Sequence, residues 1–143
     1  MGETIDKIAW HKAGIIKKNC PVVSVPQVPE AENVIRARFE ELKGSELILI
    51  DPKEIINSDH KIGIPGSHQK SNAVLAQKMC QKFIEIQRKR GINIIAKDSD
   101  IIKGLSAAKI PARCQKIRVP KYPDIEWFID GAHTVESLDV QFF

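Results

Sequence analysis

Short apolar runs alternate with helical periodicity in the first half of the chain, and this alternation is the strongest constraint on the fold. The run PVVSV at 21–25 predicts a buried strand because it is short, β-branched and followed by a proline, and ELILI at 46–50 predicts the next strand. Between them, apolar residues at helical spacing begin after Pro29 and stop before Gly44, which predicts a helix. Strands that alternate with helices predict an α/β layered architecture.

The remaining elements follow from caps, stops and periodicity. Leu75, Met79, Phe83 and Ile86 form an apolar stripe at helical spacing, which predicts the longest helix and is expected to face the core. The N-terminal helix has a residue that can cap it and a glycine that can end it. The further predicted elements are helices from Thr4 to Gly14, from Gln69 to about Arg90 and from Ser99 to Leu105, and strands at 115–119 and 126–129.

The composition is that of a globular intracellular protein. With 143 residues the chain is long enough for one domain with its own core. It has no run of about 18 apolar residues and no signal pattern in MGETIDKIAW, so we expect no membrane association and a cytoplasmic location, with a mitochondrial one left open. The three cysteines are far apart and odd in number, which predicts reduced and mostly buried thiols.

The formal net charge of +4 does not by itself predict nucleic-acid binding. Lysine and arginine are spread along the chain, and the one cluster, QRKR at 87–90, lacks interleaved aromatic residues. It lies where the longest helix is expected to end, and cations there interact favourably with the helix dipole. We therefore expect a solvated helix end and no nucleic-acid partner.

Four stretches could carry chemistry, and each has a plain structural alternative. Lys12 lies at a predicted helix end, where it either stabilises the terminus or serves as a reactive amine. In the stretch GIPGSHQKSNA at 63–73, either Ser67 or Ser71 caps the long helix, or the imidazole and amide groups bind a heterocycle or a phosphate.

The other two stretches lie in the C-terminal third of the chain. Arg113 in IPARCQ is either a surface charge or a phosphate ligand, since its planar guanidinium can make two parallel bonds. In FIDGAHTVES, Asp130 either caps a following helix or, with His133, lies at the sheet edge where α/β proteins bind ligands. The chain contains no GxxxxGK[ST], GxGxxG, CxxC or HExxH, so it shows no phosphate-binding loop or zinc motif of its own.

The four stretches, in this order and at about these separations, resemble folylpolyglutamate synthase, of the Mur ligase superfamily. The family pattern LGxTxxxIAxxKAGIxK is matched by MGETIDKIAWHKAGIIK at 1–17, and GxHQxxNAxLA by GSHQKSNAVLA at 66–76. The pattern WPGRxQ is matched imperfectly by IPARCQ at 110–115, and DGAH is matched at 130–133. The DGAHT form and Trp10 resemble the eukaryotic enzymes.

The resemblance implies an enzyme that uses ATP and magnesium to join L-glutamate to the γ-carboxylate of tetrahydrofolate. In such ligases ATP phosphorylates the folate carboxylate, and the amine of glutamate attacks the acyl phosphate to form an amide. The implied α/β fold is part of a Mur-ligase-type ATPase domain, a P-loop-type sheet lacking its N-terminal half, followed by the first strands of a Rossmann-like C-terminal domain. The full-length ligase is expected to be a monomer.

The resemblance also implies a role for individual residues. Lys12 matches the family lysine that is carbamylated and then lies near magnesium as a carboxylate-like ligand. Asn72 matches the amide near the adenine, and Arg113 matches the hinge arginine that contacts the ATP phosphates. Asp130 and His133 match residues of the C-terminal domain that close over the nucleotide.

The resemblance predicts a middle fragment, with 1–109 in the later part of the ATPase domain and 110–143 in the hinge and the start of the C-terminal domain. The family's P-loop and two magnesium ligands align upstream of Met1, so we expect no ligase activity from this chain alone. A truncated paralogue with an ATP-side binding or regulatory role, and a dihydrofolate synthase, both stay open. Ile110 and Ala112 stand where the family has Trp and Gly, and the alanine costs little unless its φ is positive.

Overall fold

The computed structural model describes residues 3–59 and 61–132. The chain forms two compact units, which divide between Asn57 and Ser58. Within the described ranges no helix is long and apolar enough to cross a membrane. The helices are α1 (Ile5–Ala13), α2 (Pro29–Glu41), α3 (Pro52–Ile56), α4 (Gln69–Lys89) and α5 (Asp98–Ala107), and the strands are β1 (Pro21–Ser24), β2 (Glu46–Leu49), β3 (Gln115–Val119) and β4 (Tyr122–Ile129).

The first unit has two parallel strands connected through a helix. β1 pairs with β2 with Val22 opposite Leu47, and α2 connects them. α1 packs against α2, and both helices bury small side chains, Ala9 and Ala13 on one and Ala31 on the other. Small buried residues let two helices approach closely without leaving voids. The strand–helix–strand order confirms the predicted α/β architecture in this part of the chain.

The ends of α1 differ in detail from the predicted caps. Thr4 occupies the N-cap position, but its side chain makes no capping hydrogen bond. It bonds to the Asp6 carboxylate instead, which lowers the pKa of Asp6. Gly14 is the C-cap residue with an ordinary φ of −61°, so the helix end does not require glycine there. α3 has no counterpart among the predicted elements, although Asp51 and Glu54 begin it with a capping box.

The second unit contains the longest helix and a hairpin. α4 packs against α5, and β3 pairs with β4 in antiparallel fashion with Ile117 opposite Trp127. β4 begins at Tyr122, earlier than predicted, because Tyr122 pairs with Val119 across the turn. The proposed domain boundary near residue 110 is a different division from the one between the two compact units, and it stays a prediction.

The apolar stripe of α4 is not core, which corrects the expectation drawn from its spacing. Met79 is 54% exposed and Phe83 is 56% exposed, whereas Ala73 and Val74 near the helix start are buried. Periodicity shows that one face of a helix is apolar, but burial depends on which part of that face another segment covers. The first turns of α4 are covered, whereas Met79 and Phe83 in the middle of the stripe are not.

The QRKR cluster at 87–90, which was expected to be a solvated helix end, makes hydrogen bonds at the C-terminal end of α4. Gly91 has a φ of +81°, and its N–H donates to the Arg88 carbonyl, as in a helix stop that uses a left-handed residue. The Arg88 guanidinium then donates to the carbonyls of Ile94 and Ala96. Arg88 therefore fixes the loop that leads to α5.

The three cysteines are free thiols, but the expectation that most are buried is wrong. Cys20 and Cys80 are exposed, and Cys114 is partly buried. Cys20 directly precedes β1, and Cys80 follows the exposed Met79 of α4. Their exposure follows from the same incomplete coverage of these elements.

Candidate functional site

A cavity of about 500 Å³ lies in the second unit, between the start of α4, the end of α5 and the segment 110–113. Its size falls in the range of about 300–1,000 Å³ that is usual for small-molecule sites. The walls are mostly aliphatic, with an imidazole, two amides and a guanidinium among them. The lining residues are Ile62, Ile64, His68, Gln69, Asn72, Ala73, Ala76, Leu105, Ala108, Ile110 and Arg113.

A buried amide joins two polar side chains of this cavity. Gln69 is only 8% exposed; its Nε2 lies 2.8 Å from His68 Nε2, and its Oε1 accepts a 3.0 Å hydrogen bond from Asn72 Nδ2. With the Gln69 amide in this orientation its nitrogen donates, so His68 Nε2 accepts, and this arrangement corresponds to a neutral imidazole with its proton on Nδ1. His68 Nδ1 is buried and has no hydrogen-bond partner in the described part of the chain.

The approach to α4 is built around one glycine. Gly66 has a φ of +115°, and a Cβ at this position would lie 2.7 Å from His68 Cε1. Neither Ser67 nor Ser71 is the N-cap; His68 is, and it makes no capping side-chain bond. The Gln69 N–H donates to the Gly66 carbonyl at 3.0 Å instead. The imidazole packs against the loop because that loop carries no side chain at Gly66.

The segment 110–114, which the resemblance predicts to be a hinge, holds two non-glycine residues in left-handed conformations. Ala112 has a φ of +56° and Cys114 has a φ of +45°. A left-handed conformation costs an L-residue roughly 1–2 kcal/mol. The replacement of the family glycine by Ala112 therefore strains the backbone, because φ is positive at this position. The Ala112 N–H donates to Gln115 Oε1 at 2.9 Å, which helps to hold the turn.

Asp130 links the hinge to the end of β4. Its carboxylate accepts hydrogen bonds of 2.6 Å from the Cys114 N–H and 2.7 Å from the Ala132 N–H. The bond from Cys114, then the bond from Ala132 and the nearby Arg113 charge, lower the pKa of Asp130. The Arg113 guanidinium also lies against the backbone, since a Cβ built on Gly131 would be 3.7 Å from Arg113 Nη1. Asp130 thus accepts from the backbone of segment 110–114 and from its own turn, while the helix that it was expected to cap lies outside the described residues.

Two of the five sequence-predicted site residues share the cavity. Asn72 and Arg113 line the same cavity. Asp130 lies at the hinge that contains Arg113, and Lys12 lies in the first unit, exposed on the last turn of α1. His133 lies outside the described residues.

His68 and Gln69 also line the cavity; the sequence raised ligand binding by the imidazole and amide groups of this stretch, but the resemblance gave these two residues no individual role. The available signal was the spacing of Gln69 and Asn72. Residues three apart share a helix face, so their two amides could be expected to meet.

The described side chains do not form a magnesium site by themselves. Between residues 3 and 59 and between 61 and 132, no group of three or more His, Cys, Asp or Glu side chains is placed to hold a metal ion. Magnesium prefers octahedral oxygen coordination and commonly uses carboxylates, substrate phosphates and water. We therefore derive no catalytic step through magnesium from these residues.

Comparison with known proteins relates the whole stretch to one kind of enzyme. No protein-family model matches the chain. A probable folylpolyglutamate synthase of Schizosaccharomyces pombe is 39% identical over 142 residues, which are 97% of this chain and 26% of the relative. The folylpolyglutamate synthase of Neurospora crassa is 36% identical over 143 residues, or 98% of this chain and 26% of the relative. The chain thus spans about a quarter of the length of these relatives.

The structural comparison agrees with the sequence comparison. A solved complex of folylpolyglutamate synthase with AMPPCP and folate superposes with a TM-score of 0.75 and 28% sequence identity, covering 97% of this chain and 36% of the solved one. This agreement confirms the predicted Mur-ligase-type α/β fold class. Over nearly its whole length, the chain is a homologue of the folylpolyglutamate synthases and corresponds to about a quarter of their sequence.

Proposed function

We propose that this chain supplies the adenine-side part of the ATP site of a folylpolyglutamate synthase. The observation that carries the proposal is the cavity, whose polar lining comes from the motifs shared with the family. The related enzyme solved with AMPPCP and folate supports a nucleotide and a folate as ligands. AMPPCP resembles ATP, because it has the same base, ribose and triphosphate chain with one bridging oxygen replaced by carbon. The substrates are then ATP, L-glutamate and tetrahydrofolate.

The cavity suits a purine for chemical reasons. Aliphatic side chains such as Ile62 and Leu105 offer flat apolar surface to the faces of a heterocycle, and the Asn72 amide offers hydrogen bonds to its edge. Arg113 lies at the rim of the same cavity, where its guanidinium can make charge-assisted bonds with phosphate oxygens. A nucleotide with its base toward Asn72 and its phosphates toward Arg113 would use all of these groups.

The proposed reaction forms an amide in two steps. The folate γ-carboxylate attacks the terminal phosphoryl group of ATP, which gives an acyl phosphate and releases ADP. The glutamate amine then attacks the acyl carbon, phosphate leaves, and the amine loses a proton. Arg113 would offset negative charge on the phosphates, and Asp130 and His133 would close over the nucleotide from the C-terminal side.

We extend the proposal to Lys12 and magnesium on the strength of the shared motif alone. A neutral lysine amine adds carbon dioxide to give a carbamate, whose oxygens resemble a carboxylate and can bind a divalent cation. Lys12 is solvent-exposed in the first unit, so carbon dioxide can reach it. A cytoplasmic or mitochondrial location and a monomeric full-length enzyme belong to the same proposal.

A segment exchange tests the proposed function directly. The homologous stretch of the Schizosaccharomyces pombe relative is replaced by residues 1–143, and the chimera is assayed with ATP, magnesium, tetrahydrofolate and labelled glutamate. We expect glutamate addition, and we expect Lys12→Met to lower kcat about 100-fold or more while Lys7→Met, exposed on the same helix, leaves it nearly unchanged. A folded chimera without activity would contradict the proposal.

The chain alone is expected to be inactive in the same assay but to bind AMPPCP. Arg113→Met should weaken that binding about tenfold by removing a charge-assisted hydrogen bond, whereas Arg36→Met, on the exposed face of α2, should leave it unchanged. Titration calorimetry measures both effects. Glutamate incorporation by the chain alone would contradict the expected inactivity. Equal losses of AMPPCP affinity in the two arginine variants would contradict the proposed role of Arg113.

A further inference from the structure

We propose that Gln69 orients the Asn72 amide and thereby selects adenine over guanine nucleotides at the cavity. The inference rests on the proposed nucleotide binding, but it concerns a residue to which neither the motif comparison nor the relatives assign a role. Gln69 would act as a positioning residue, because its own amide is hydrogen-bonded to His68 and Asn72 and not to the ligand.

The orientation of the Gln69 amide is determined by its two partners. Oε1 accepts from Asn72 Nδ2 at 3.0 Å, and Nε2 lies 2.8 Å from His68 Nε2. Turning this amide over would place Gln69 Nε2 against Asn72 Nδ2, so that two donors would face each other. At 8% exposure the side chain has little access to water that could compensate for this mismatch. Asn72 would have to turn its own amide at the same time, so the orientations of the two amides are coupled, and the observed pair joins Gln69 Oε1 to Asn72 Nδ2.

The hydrogen bond between Gln69 and Asn72 determines which atom of the Asn72 amide remains for a ligand. Asn72 Nδ2 uses one of its two protons on Gln69 Oε1, which leaves Asn72 Oδ1 as an acceptor for a ligand in the cavity that Asn72 lines. A purine edge with an amino group at C6 donates to such an oxygen, as in adenine. Guanine has a carbonyl at C6, and this acceptor would oppose Asn72 Oδ1. The remaining Nδ2 proton can serve a ring nitrogen of adenine.

Two variants of Gln69 separate orientation from packing. Gln69→Met keeps the approximate size of the side chain but removes both hydrogen bonds. Gln69→Glu keeps an acceptor for Asn72 Nδ2. It removes the donor to His68 Nε2, because a carboxylate can only accept a hydrogen bond from that nitrogen. Gln81→Met is the matched control, because it removes an amide of the same helix whose hydrogen bond, to Asp98, lies outside the cavity.

The first measurement compares AMPPCP with GMPPCP by calorimetry of the whole chain. We expect the wild type to prefer AMPPCP, Gln69→Met to weaken AMPPCP binding about tenfold and to lose most of the preference, and Gln69→Glu to retain the preference. Gln81→Met should match the wild type. A wild type that binds neither nucleotide would overturn the proposed function together with this inference. A preference that Gln69→Met leaves intact would overturn this inference alone.

The second measurement needs no nucleotide. Nitrogen chemical shifts of the labelled imidazole report which ring nitrogen of neutral His68 carries the proton. We expect the Nδ1–H tautomer in the wild type and a change to the Nε2–H tautomer in Gln69→Glu, an effect that a role in packing alone would not produce. An Nε2–H tautomer in the wild type would overturn the inference, because Gln69 Oε1 would then face His68 and not Asn72.

Discussion

The start of α4 and the predicted hinge at 110–114 both border the cavity, but different interactions determine their conformations. At the start of α4, side chains bond to one another: Gln69 lies between His68 and Asn72, and it is almost fully buried. At the hinge, the backbone is held in strained conformations at Ala112 and Cys114, and the side chains are more exposed.

The difference teaches how each segment can respond to a ligand. A buried network of side-chain hydrogen bonds is costly to rearrange, since each broken bond leaves an unpaired group. A strained and exposed turn stores energy that a conformational change can release. We therefore expect the start of α4 to be preformed for the base and the hinge to adjust when phosphates bind. Three substitutions test this contrast.

The largest effect is expected at Gly66, on the preformed side. Gly66→Ala places a Cβ 2.7 Å from His68 Cε1 at a φ of +115°, and we expect the free energy of unfolding to fall by about 3 kcal/mol. Gly91→Ala is the control, because Gly91 also has positive φ, +81°, but no neighbour within 4 Å of an added Cβ. It should cost about 1–2 kcal/mol. Urea unfolding measures both, and equal costs would show that the His68 contact does not matter.

An intermediate effect is expected at Asp130, which ties the hinge to β4. Asp130→Ala removes the acceptor of the Cys114 and Ala132 N–H bonds, and we expect the protection of both amides against hydrogen exchange to fall about tenfold. Amides within α4 should be unaffected. Unchanged protection at Cys114 would mean that backbone strain, and not this carboxylate, determines the hinge conformation.

The same bond should depend on pH in a defined direction. The Cys114 and Ala132 N–H bonds lower the pKa of Asp130 below its ordinary 3.8. The stabilisation is therefore complete above pH 3.8 and is lost as the pH falls through the lower folded-state pKa. We expect Cys114 protection in the wild type to decline only in that acid range, whereas the alanine variant should show no such decline.

The smallest effect is expected at Ala112, and it should be stabilising. Ala112→Gly relieves a left-handed conformation at φ +56° but adds backbone entropy to the unfolded chain, so we expect the free energy of unfolding to rise by about 0.5 kcal/mol. Ala108→Gly, at a φ of −60°, should lower it by a similar amount, about 0.5 kcal/mol. Two shifts of the same sign would contradict the assignment of strain to residue 112.

Local sequence signals predicted most elements because local energetics suffice for them. β3 begins and ends where it was predicted, and α2 starts at Pro29 as expected. α3 was not predicted, since five residues are too short to show a period, and the true start of β4 depends on its pairing with Val119. Predictions of burial did worse: Met79 and Phe83 are exposed because burial depends on segments distant in sequence.

The residues of the candidate site divide in the same way. Asn72 and Arg113 were predicted from a resemblance between ordered motifs, and they line one cavity. Gln69 had no assigned role, because its importance lies in two hydrogen bonds whose geometry no single motif position shows. The proposed roles of Lys12, Asp130 and His133 stay predictions.

The sequence by itself determined most of the strands and helices and the kinship with folylpolyglutamate synthases, because these depend on propensities and residue types along the chain. Only the tertiary structure decided that Gln69 is buried between His68 and Asn72, that Ala112 is left-handed and that Asp130 binds the hinge backbone. The physical reason is that hydrogen bonds and backbone strain depend on distances and dihedral angles, which are fixed only when segments pack together.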